Sequence, residues 1–107
     1  MALKITTQLQ TSKGITTEAY LIIDDYRILK SGKSKSQVRW YQSQAEREAN
    51  INDTVKVPVN NNIREVYSID LVDINSTITA AYSAIAALLK AEGHTVQSDD
   101  TGSWVTI

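Results

Sequence analysis

Asp100-Thr101-Gly102-Ser103 reproduces the loop with which carboxylate-dependent peptidases bring two aspartates together to share one proton. That chemistry needs two such loops and a flap with supporting strands after the motif, and only Trp104-Val105-Thr106-Ile107 follow here. The four residues therefore read as an acidic turn. Gly32-Lys33-Ser34 has the ending of a phosphate-cradling loop, yet the first glycine of that pattern falls on Arg27 and no helical pattern begins at Ser34. His94, the one histidine, stands just beyond Gly93 with no base or nucleophile to pair with, and reads as a polar residue near a helix C-terminus. Asp24, Asp25, Asp70, Asp73, Asp99 and Asp100 could gather around a hard cation, but none sits in the alternating oxygen-ligand loop that calcium takes. Turns and caps explain them, and the expectation is of a protein with no catalytic residue, no metal, no cofactor and no small-molecule substrate.

One cluster could bind rather than react. Lys30, Lys33, Lys35 and Arg39 are the only concentration of basic residues, and Trp40 and Tyr41 stand close by. Cations beside aromatics are the minimum for a platform that tracks a single nucleic-acid strand and stacks its bases. Against it, eleven basic and twelve acidic residues leave a formal charge of −1, so no global field draws the chain to nucleic acid or to anionic lipid. A nucleic-acid-binding or adaptor module built on this basic segment is the second reading of the sequence.

The elements that must position these residues follow from patterning. At 107 residues the chain makes one domain, 1–107, with a core drawn from Ile, Leu, Val, five Tyr and two Trp, since Phe is absent and Met occurs once. With no cysteine, neither disulfides nor thiol chemistry contribute. No stretch approaches the roughly 20 apolar residues of a membrane helix, and residues 1–5 lack the apolar core of a signal peptide, so a soluble, unprocessed product without membrane partners is expected. Alternation predicts strands over residues 3–10 and 16–29, the latter buried on both faces near Tyr20 to Ile23, and another over 38–41. The second and third pair as a long hairpin arm with a basic, flexible tip. A helical turn is predicted over 42–50. Val55, Val57 and Val59 form an edge strand because Pro58 cannot donate to a ladder, and they pair as a hairpin with residues 63–71. A helix spans 76–92, capped by Asp73, Asn75 or Ser76 and ended by Gly93; an acidic turn at Ser98-Asp99-Asp100 then leads to a last strand at Trp104 to Ile107. The fold class is α+β: a mainly antiparallel sheet, small open barrel or sandwich, with one helix from the C-terminal half packed on it.

That helix bears on partners. Ile78, Ala81, Tyr82, Ile85, Leu88 and Leu89 share a broad face that should cover the sheet. Ala80, Ala84, Ala87 and Ala91 form a second stripe beside it. Either the alanines are there as good helix formers on a surface, or they await a neighbouring subunit, and both readings stay open. Tyr26, Trp40 and Tyr41 on the flanks of the arm are the other candidate subunit contacts, since aromatics on a two-stranded ribbon need a cover.

The opening Met-Ala-Leu-Lys-Ile, the Tyr- and Asp-containing strand from Tyr20 to Leu29, the segment Tyr41-Gln42-Ser43-Gln44-Ala45-Glu46-Arg47-Glu48-Ala49 and the late helix together resemble small virion proteins of tailed bacteriophages. The resemblance spans most of the chain through the order of its features and carries no functional residue across. It implies a homo-oligomerising subunit of the tail, neck or capsid, partnered by copies of itself and by other virion proteins, assembled in the host cytoplasm and located in the virion.

Overall fold

The computed structural model describes residues 2–57, 63–70 and 78–99. Five strands form a curled antiparallel half-barrel: β1 (Ala2–Ile5), β4 (Ala19–Ile28), β5 (Lys33–Tyr41), β6 (Val66–Asp70) and β7 (Val96–Asp99), in the order β6-β5-β4-β1-β7. A second, two-stranded sheet joins β2 (Leu9–Thr11) to β3 (Gly14–Thr16). Two helices complete the described chain, α1 (Gln44–Ala49) and α2 (Ile78–Ala91). This is the β-rich α+β class with its main helix in the C-terminal half.

Each face of the sheet has its own reason to be dry. On one, Leu3, Ile5, Leu21, Val38, Trp40 and Tyr67 meet Tyr82, Ile85, Ala86 and Leu89 of α2 in the main core. On the other, Ala2, Tyr20, Ile22 and Tyr41 form a smaller cluster. The run from Tyr20 to Ile22 is thus buried on both faces, as its unbroken apolar sequence requires. α2 touches β1, β6 and β7, and a helix that reaches both edges of a curled sheet lies within its concavity. Gly93, at φ +88°, ends α2 in the left-handed region. The N–H of His94 then reaches the Leu89 carbonyl and that of Gly93 the Lys90 carbonyl, which satisfies two of the last carbonyls of the helix. Ser43 caps α1 by accepting the N–H of Glu46.

Several expectations are corrected. Residues 3–10 are not one strand: β1 stops at Ile5, and Leu9 begins a hairpin in the other sheet. The chain kinks again at Thr17 and Glu18, separating β3 from β4. Among the described residues Val55 bridges Trp40 and β6 pairs with β5, so the hairpin expected between the valine segment and 63–71 is not what positions β6. Ser98 and Asp99 belong to strand β7 rather than to an acidic turn. The helix cap at 73–76, Val59, Asp100 and the strand expected at 104–107 lie outside the described residues.

The arm is the largest correction. β4 and β5 do form a long hairpin, with Gly32 at φ +85° in its turn. It is the middle of the sheet and not a ribbon reaching away from it: β1 flanks β4 at its base, while β6 pairs with β5 from Lys33 to Gln37.

Candidate protein interface

The hydrogen bond from Val38 N–H to the Glu65 carbonyl, 2.8 Å long, sets the phase of the β5–β6 ladder. Antiparallel pairs alternate between bonded and non-bonded, so in the register that matches Ser36 with Tyr67 and Ser34 with Ile69 those pairs face each other. Val66, Ser68 and Asp70 therefore turn their backbone N–H and C=O groups outward, where no described strand lies. β6 has neither a proline nor a bulge along this row, and its Val66 side chain is 40% exposed. Edges without such interruptions are the ones that recruit further strands.

Beside the edge runs a groove of about 410 Å³ between Ser68, Ile69 and Asp70 of β6 and Ala84, Ala87 and Leu88 of α2. Leu88, which the helical pattern places on the core face, is 36% exposed, and Ile78 is 41% exposed, so the core face of α2 is narrower than the apolar stripe. Ala86, off that stripe, is buried in its place. Of the alanine row, Ala80, Ala87 and Ala91 are exposed and Ala84 is half-buried. The exposed side of α2 therefore continues the apolar surface of the groove.

The aromatic candidates fall elsewhere. Trp40 and Tyr41 are 1% and 0% exposed, so the premise that they lie bare on an arm is overturned. The Trp40 indole N–H donates to the Arg64 carbonyl at 2.9 Å, and the Tyr41 hydroxyl donates to the Ile51 carbonyl at 2.7 Å. Both polar tips are used internally, which is why such large aromatics can be buried in full. Tyr26 is half-buried on β4 opposite Ser36.

Of the basic residues Lys33, Lys35 and Arg39 share the face of β5 opposite the main core, while Lys30 lies in the turn before it, and they do not stand alone. Arg39 pairs with Asp24 at 3.1 Å, Lys33 lies 3.8 Å from Asp70, and Arg27 beside Lys35 pairs with Asp25 at 3.0 Å. Lys30 and Lys35 are exposed. With Trp40 and Tyr41 inside the protein, the cations have lost the stacking surface expected beside them. A more polar cleft of about 340 Å³, walled in part by Asp24, Arg39, Lys56 and Glu65, holds the Asp24–Arg39 pair and a Lys56–Glu65 pair at 3.6 Å. Among the described residues no three His, Asp or Glu side chains come together as a metal site, and no helix is long and apolar enough to cross a membrane.

Sequence reasoning named Ala84 and Ala87 and missed Ser68, Ile69 and Asp70 across the groove. Periodicity shows that a strand is present, but which of its sides lacks a neighbour depends on sheet order. Comparison of the chain with protein-family models, with curated proteins and with solved structures finds no match.

Proposed function

We propose that this protein is a structural subunit that acts by assembling with copies of itself, as a component of a tailed-bacteriophage particle. The observation that carries the assembly reading is the juxtaposition of the bulge-free outer edge of β6, along which no described strand lies, with the apolar groove formed by Ala84, Ala87 and Leu88. Backbone groups along an open edge offer directional hydrogen bonds, and the groove beside them offers apolar area, the two ingredients of strand addition. The sequence resemblance to small virion proteins supports the particle in which this happens.

Sedimentation velocity over a range of concentrations tests the reading. The native chain should sediment as a multiple of 11.9 kDa, and Leu88→Lys should shift it toward the single chain without altering its circular dichroism. Antibody labelling of intact phage particles tests the location. A Leu88→Lys chain that assembles as the native one does would remove the groove from the interface.

A further inference from the structure

We draw no further inference here: the strongest candidate, the polar cleft of about 340 Å³ between β4, β5 and residues 52–56, carries nothing, because the Asp24–Arg39 and Lys56–Glu65 pairs in its walls already answer each other's charge and nothing in the structure shows what would occupy it.

Discussion

The phenolic oxygen of Tyr82 on α2 lies 2.7 Å from the backbone nitrogen of Ile23 on β4 and accepts its N–H. Val38 sends its own N–H to Glu65, so its partner Ile23 must point away from β5, toward the place where β1 would lie. In the register that pairs Leu3 with Leu21, however, the position opposite Ile23 lies beyond Ala2, the first described residue of β1. The helix supplies an acceptor here and fixes its own position over the sheet. Tyr82→Phe, which keeps the ring and leaves that donor unpaired, should cost about 1–3 kcal/mol. Urea unfolding of the variant measures it, and an unchanged midpoint would show that the bond is dispensable.

Burial raises the Tyr67 hydroxyl to about 12, and it also raises that of Tyr82, against a usual value of 10.0. Below pH 10 the folded and unfolded chains both keep these protons, and stability does not depend on them. Above it the unfolded chain releases them first, so stability falls as pH rises from about 10 toward 12, by roughly 2–3 kcal/mol for Tyr67. Denaturant midpoints measured across that window should fall, and should fall less in Tyr67→Phe.

The hydroxyls of Ser34 and Ser36 are buried on the core face of β5 with no hydrogen-bond partner. Burying a polar group unpaired is unfavourable, so Ser36→Ala should raise stability by about 1 kcal/mol. A loss of stability in that variant would mean that the hydroxyl has a partner.

Removing residues 32–35 and reclosing the turn tests the place of the hairpin. Those residues pair with β4 on one side and, from Lys33 onward, with β6 on the other, so the shortened chain should lose its β-sheet signal in circular dichroism. A folded, assembly-defective product would restore the hairpin as a free arm.

The readability of the sequence follows from how local each signal is. The double-sided burial of Tyr20 to Ile22, the short helix after Tyr41 and the stop at Gly93 were all legible, because each is dictated by neighbours within a few residues. Strand ends were less so: Thr6 to Gln8 keep the alternation of β1 although the chain there leaves one sheet for another. The pairing of β6 with β5 depends on a long-range choice that alternation does not encode. The burial of Trp40 and Tyr41 rests on carbonyls at Arg64 and Ile51, distant acceptors that spacing along the chain does not reveal. Of the groove, Ala84 and Ala87 on the helical wall were visible as part of the alanine row, while the strand wall emerged only with the order of the sheet.

Native mass spectrometry of the untagged full-length chain, recorded from low to high micromolar concentration, tests self-assembly most directly. The account predicts a discrete particle whose mass is an integral multiple of 11.9 kDa and which persists on dilution. A single 11.9 kDa species at every concentration would contradict it.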